Sequence, residues 1–144
     1  MNYDRTFKEF LLSEQQLNEL QSEQEMREVE GHLTQMFKDV GVNRVVFTTH
    51  GGRDRVLGRN ADVTQQELSE LFFKLKKMHK PKIDAEIANR GQFQAVVKDY
   101  SSNLNVVVDY TADDREMRIV TLERKPPNKF LGDKWPAFLQ LKVW

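Results

Sequence analysis

The last third of the chain changes to a two-residue hydrophobic period, and this change limits the fold more than any other feature. Residues 93–100, 103–110 and 117–123 are runs rich in β-branched and aromatic side chains, which suit a pleated, half-buried surface. They are separated by turns at Ser-Ser-Asn (101–103) and Asp-Asp-Arg (113–115), both turn-forming sequences. Links this short hold successive strands antiparallel, so the chain must build a meander whose apolar face is covered by other elements. Lys125-Pro126-Pro127-Asn128-Lys129 closes the sheet, because consecutive prolines cannot continue a ladder. An apolar tail follows, with Phe130, Trp135, Phe138, Leu139, Leu141, Val143 and Trp144. It either packs as a last strand or stays exposed as a patch for a protein partner.

The covering elements come earlier. Ser13-Glu14-Gln15-Gln16 has the form of a capping box, and Leu17, Leu20, Met26, Val29, Leu33, Met36, Phe37 and Val40 trace one helical stripe. Gly41 stands where a left-handed cap would end it. Gly31 costs about 1 kcal/mol against alanine in a helix interior, so this segment is one long helix or a consecutive pair. Residues 42–47 read as a strand. Thr64-Gln65-Gln66-Glu67 repeats the capping box, and Leu68, Leu71, Phe72 and Leu75 form the apolar face of a second helix that ends before Pro81. The order predicts a single α+β domain over residues 1–144. It has a long N-terminal helix or helix pair and a second helix, packed on an antiparallel sheet of about four strands.

Composition narrows the setting. Lys plus Arg and Asp plus Glu are 22 each, so no global field draws the molecule to nucleic acid or to a membrane. Cysteine is absent, which removes disulfides and thiolate chemistry and points to a cytoplasmic or virion setting. No run approaches the roughly 20 apolar residues of a spanning helix. Charge is nevertheless uneven. Glu14, Glu19, Glu23, Glu25, Glu28, Glu30 and Asp39 dominate the first helical segment, whereas Lys74, Lys76, Lys77, Lys80 and Lys82 cluster later, followed by Arg115, Arg118, Arg124, Lys125, Lys129 and Lys134. The acidic segment is either a solvated helix face or a contact for a basic partner.

Candidate chemistry concentrates in residues 48–59, Thr-Thr-His-Gly-Gly-Arg-Asp-Arg-Val-Leu-Gly-Arg. A histidine there can exchange a proton near neutral pH, and three guanidinium groups offer planar donor forks to phosphate, a set suited to work on a phosphodiester. The same residues also make an ordinary solvated loop. Gly51-Gly52-Arg53 is no P-loop, since the terminal Gly-Lys-Ser/Thr is missing. His32, His50 and His79 are too dispersed to hold a metal. His32 reads as a surface residue, and His79 as an exposed residue or a second proton carrier. Asp113-Asp114 belongs to a turn.

Residues 45–75 contain a strand, His50, Asp54-Arg55, Arg59 and a helix with Glu70-Leu71-Phe72-Phe73-Lys74-Leu75. In this pattern the chain resembles the phage early-transcript endoribonucleases of RegB type, in the RelE-like group of small ribonuclease folds. The resemblance implies a RelE-like fold and metal-independent cleavage of messenger RNA that leaves a cyclic phosphate. It implies an active site in which a histidine after the first strand precedes an Asp-Arg pair, positions held here by His50 and Arg55. It puts Phe73 where that family has a second catalytic histidine, with His79 about a turn and a half further along. Other RelE-like members stabilise the transition state with arginine and lysine.

On this reading His50 abstracts the ribose 2′-hydroxyl proton, Arg55 and Arg59 neutralise the phosphorane, and Arg118 or Lys125 assists the leaving oxygen. Arg53, Lys74, Lys77, Arg118 and Lys125 form the RNA-binding set, and neither metal nor cofactor is expected. Two rival readings use the same scaffold. In one, the basic surface binds nucleic acid without chemistry. In the other, a phage structural or host-inhibiting protein works through its acidic helix or its aromatic tail. A phage-encoded protein of either kind would act in the host cytoplasm or in the virion.

Overall fold

The computed structural model describes residues 23–48, 63–130 and 135–144. The predicted Ser13 capping box, Leu17 and Leu20 lie outside the described residues. Helix α1 (Glu23–Phe37) turns Met26, Val29, Leu33 and Phe37 inward, the spacing the stripe predicts. It runs unbroken through Gly31, and a 3₁₀ turn (Lys38–Val40) extends it to Gly41 at φ +94°. Strand β1 (Arg44–Phe47) follows. Side chains of α1 take up its main chain: Val45 N–H donates to Thr34 Oγ1 at 2.9 Å, and Phe47 N–H to the Glu30 carboxylate at 2.8 Å. The outer edge of a terminal strand is thereby occupied.

Helix α2 (Gln65–Arg90) opens on the predicted capping box, with Glu67 N–H donating to Thr64 Oγ1 at 3.0 Å and Thr64 N–H donating to Glu67 Oε1 at 3.2 Å. The expectation that it ends before Pro81 is corrected. The backbone breaks at His79 (φ −126°, ψ 15°) and resumes to Arg90, where Gly91 caps it at φ +65°. The break leaves Pro81 near the start of a fresh helical segment, where a missing N–H and a fixed φ cost little. Burial of Ile83 draws that segment onto the sheet side.

The meander forms as predicted: β2 (Gln92–Asp99), β3 (Leu104–Thr111) and β4 (Glu116–Arg124) are antiparallel neighbours. Asn103 and Arg115 supply left-handed turn residues at φ 62° and 56°. The sheet as a whole differs from the expectation. It has five strands in the order β1-β4-β3-β2-β5, and it is mixed. β1 lies parallel to β4, and β5 (Leu139–Val143) lies parallel to β2. Parallel pairing needs a long connection. Here it is supplied by α2 with two meander strands before β4, and by β3, β4 and the proline turn before β5.

Phe93, Ala95, Val97, Val106, Val108, Met117, Ile119 and Leu122 face the helices in one apolar cluster with Phe37, Leu68, Leu71 and Phe72. On the opposite face Val96 and Val107 are covered by Phe130, with Trp135 and Phe138 packed against them. This second cover makes residues 95–97 of β2 buried without alternation. The tail therefore packs as a fifth strand, with Trp144 left exposed at its end, and the architecture is α+β with both helices on one face of the sheet.

Candidate nucleic-acid interface

Adjacent phenylalanines in α2 have opposite environments. Phe72 is fully buried and meets Phe37 edge to face, with ring centroids 5.8 Å apart. Phe73 follows about 100° further round the helix and is 56% exposed. Its ring lines a groove of about 460 Å³ between the end of α1 and α2, together with Gln35, Met36, Asp39, Lys76, Lys77 and Lys80. Lys76 Nζ donates to Met36 O and pairs with Asp39 Oδ1, each at 2.7 Å, fastening the two sides of the groove. The hydrogen bond from Lys76 holds the Asp39 carboxyl below its ordinary value. Lys80 pairs with Asp84 at 2.8 Å, and the hydrogen bond it donates to that carboxylate raises the lysine. Lys77 has no ion-pair partner among the described residues. A flat apolar ring with ammonium groups around it can hold a planar aromatic ligand that carries negative charge.

His50, Arg53, Arg55 and Arg59 lie outside the described residues. Their flanks are placed. Thr48 N–H donates to Ile119 O at 3.1 Å, and Gln65, after the Thr64 cap, reaches Glu28 of α1 at 3.5 Å. These anchors stand by the N-terminal parts of both helices, whereas the groove lies where α1 ends.

The remaining predicted cations diverge. Lys77 lines the groove. Lys74 points elsewhere, its Nζ 3.1 Å from Asp99 Oδ2 and 2.7 Å from Ser101 Oγ. Burial acts to raise the Asp99 carboxyl, but hydrogen bonds from the Ser101 hydroxyl and N–H and from Lys74 outweigh it, and the net direction is down. Arg118 is on the far face of the sheet, paired with Asp114 and with Glu116 at 3.5 Å. Lys125 is 3.4 Å from Glu123 and sits over the Phe130 ring. His79 Nε2 is 2.8 Å from Lys142 O, a contact its non-helical backbone makes reachable. His32 is exposed, and Asp114 accepts from Thr111 and from Glu116 N–H as a turn residue does.

Two exposed aromatic surfaces do not follow from the sequence pattern alone. One is Phe73, treated there only as a replaced histidine. Its step off the Leu68-Leu71-Phe72-Leu75 stripe is the signal that marks it as exposed. The other is a stack of Tyr100 on Trp144, with centroids 6.0 Å apart and an interplanar angle of 24°. Only the fold brings those two residues together.

Among the described residues no helix is long and apolar enough to cross a membrane, and no cluster of three or more His, Cys, Asp or Glu could hold a metal ion. Compared with protein-family models, curated proteins and solved structures, the chain gives no match to any of them.

Proposed function

We propose that this chain is an RNA-directed protein that holds single-stranded RNA in the groove between α1 and α2. The observation that carries this reading is the exposed Phe73 ring beside Lys77, the groove lysine whose ammonium has no carboxylate partner among the described residues. An exposed aromatic side chain in a cationic groove can stack any base while ammonium groups follow the phosphates. The choice of RNA over DNA rests on the RegB-type, RelE-like resemblance of residues 45–75. The order of a helix, a strand, a helix and an antiparallel meander is compatible with that resemblance. On the same reading His50, Arg55 and Arg59 carry metal-independent endoribonuclease chemistry in the cytoplasm of a phage host. His50 removes the 2′-hydroxyl proton, and the arginines balance charge on the phosphorane.

Two measurements separate the binding claim from the catalytic one. Fluorescence anisotropy with a labelled single-stranded oligoribonucleotide should give an affinity that falls steeply between about 50 and 200 mM salt and that drops in Phe73→Ala and Lys77→Glu. Unaltered affinity in both variants rejects the groove. Incubation with a mixed RNA pool without added metal should produce cyclic-phosphate ends that disappear in His50→Ala. An RNA pool left intact by folded wild-type protein that still binds leaves a binding protein without catalysis.

A further inference from the structure

A second aromatic surface lies on the other flank of α2, and its chemistry repeats that of the groove. Trp144 is 63% exposed and Tyr100 is 40% exposed, the two rings are stacked, and Lys142 Nζ lies 5.7 Å from the Tyr100 centroid. The platform is held rigidly. Asp99 and Ser101, on either side of Tyr100, are both gripped by Lys74, and Ser101 N–H and Oγ each donate to Asp99 Oδ1. Lys142, two residues before Trp144, is tied to α2 through His79. A ring pair anchored this way loses little conformational freedom when a third ring stacks on it.

The placement relates this platform to Phe73. Lys74, whose tip touches the residues beside Tyr100, is the chain neighbour of Phe73, so the two aromatic surfaces flank one helix. Their separation is then on the order of a helix diameter, about 10–12 Å. Lys77, one turn beyond Phe73 on the exposed side, stands between them.

We infer that the Tyr100–Trp144 stack is a second nucleobase platform, so that one RNA strand lies across α2 with a base on Phe73, its phosphates passing Lys77, and a later base on Trp144. This inference rests on the RNA-binding reading of the groove. Charge complementarity favours this occupant over an apolar protein segment. Lys142 and Lys77 border the open rings with no carboxylate partner among the described residues, and a phosphate backbone supplies the missing anions.

The test is anisotropy with labelled uridine oligoribonucleotides of two lengths, a dinucleotide that can occupy one platform and an octanucleotide that can reach both, combined with tryptophan emission. Phe73→Ala should weaken both ligands. Trp144→Ala should weaken the octanucleotide about tenfold and leave the dinucleotide unchanged, while Trp144→Phe, which keeps a ring, retains most of the affinity. The octanucleotide should quench wild-type emission, and that quenching should vanish in Trp144→Ala. If Phe73→Ala weakens binding while Trp144→Ala changes neither octanucleotide affinity nor quenching, the second platform is overturned and the groove stands. If wild type binds neither oligonucleotide, or neither variant alters binding, the RNA reading fails and this inference fails with it.

Discussion

Replacing Phe72 and Phe73 one at a time by alanine separates fold from function at neighbouring positions. Phe72 is fully buried against Phe37, so its truncation should cost about 3–5 kcal/mol from lost burial and a residual cavity. For a chain of this length that lowers the melting temperature by roughly 10–20 °C. Phe73 has more than half of its surface exposed. Full burial of a phenylalanine side chain contributes about 1.5–3 kcal/mol, so the covered part contributes about 1 kcal/mol. Alanine regains roughly 0.5 kcal/mol of helix propensity. The net change should therefore stay within about 1 kcal/mol, which a thermal melt followed by circular dichroism will register as a shift of a few degrees. Stacking of one base on an aromatic ring is worth about 1–3 kcal/mol, so the same Phe73→Ala protein should bind single-stranded RNA some 5- to 150-fold more weakly. Phe72→Ala, measured cold enough to stay folded, should bind as wild type does. A destabilisation above about 2 kcal/mol in Phe73→Ala, or unchanged RNA affinity in a folded sample, refutes the reasoning: the first means that the ring serves packing, the second that it holds no base.

Other consequences are as specific. Asp99→Asn should cost about 2 kcal/mol at neutral pH, since the buried carboxylate answers Lys74 and Ser101. The folded carboxyl lies below its unfolded value, so its stabilisation is present above about pH 4 and is lost as pH falls through the folded value. Urea midpoints of wild type and Asp99→Asn should therefore converge as pH falls below about 4, and a constant gap would show that the charge is irrelevant. Thr64→Ala removes the cap of α2 and should lower stability by about 1 kcal/mol in the same urea assay. His79→Ala removes the contact to Lys142 O and should speed amide exchange in β5 before any other strand, as local opening of a terminal strand requires. Uniform protection across the sheet would show that β5 does not depend on this tie. If His50 is the base, His50→Ala should slow RNA cleavage by a factor of about 100 or more, read from cyclic-phosphate ends.

Local patterns in the sequence were sufficient for most of the elements. The stripe through Met26, Val29, Leu33 and Phe37, the Thr64–Glu67 box and the two short turns of the meander each reflect forces acting over a few residues, and each has its counterpart in the structure. What escaped was decided at long range. The partners of β1 and β5 lie far away in sequence, and a period-two pattern carries no information on which strand edge a neighbour will occupy. Pro81 read as a stop because proline removes an intrahelical bond. A one-residue break at His79 lets the helix resume, and burial of Ile83 against the core supplies a reason for it to do so.

The same division explains the site. Counting lysines and arginines locates charge along the chain but not what neutralises it. Arg118 meets Asp114, Lys125 meets Glu123 and Lys74 meets Asp99, and only the fold or the turn decides each pairing. A cation already matched by a carboxylate must give up that partner before it can serve a phosphate, so the predicted basic surface is a weaker attractor than its residue count suggests. Exposed aromatic rings face no such competition. Solvent cannot stack on Phe73 or Trp144, and burial of their open faces is a gain that a base can realise without breaking an existing contact. In a chain with no net charge, binding of single-stranded RNA would therefore be set by where its aromatic rings are left open, with Lys77 and Lys142 steering the strand and fixing its salt dependence.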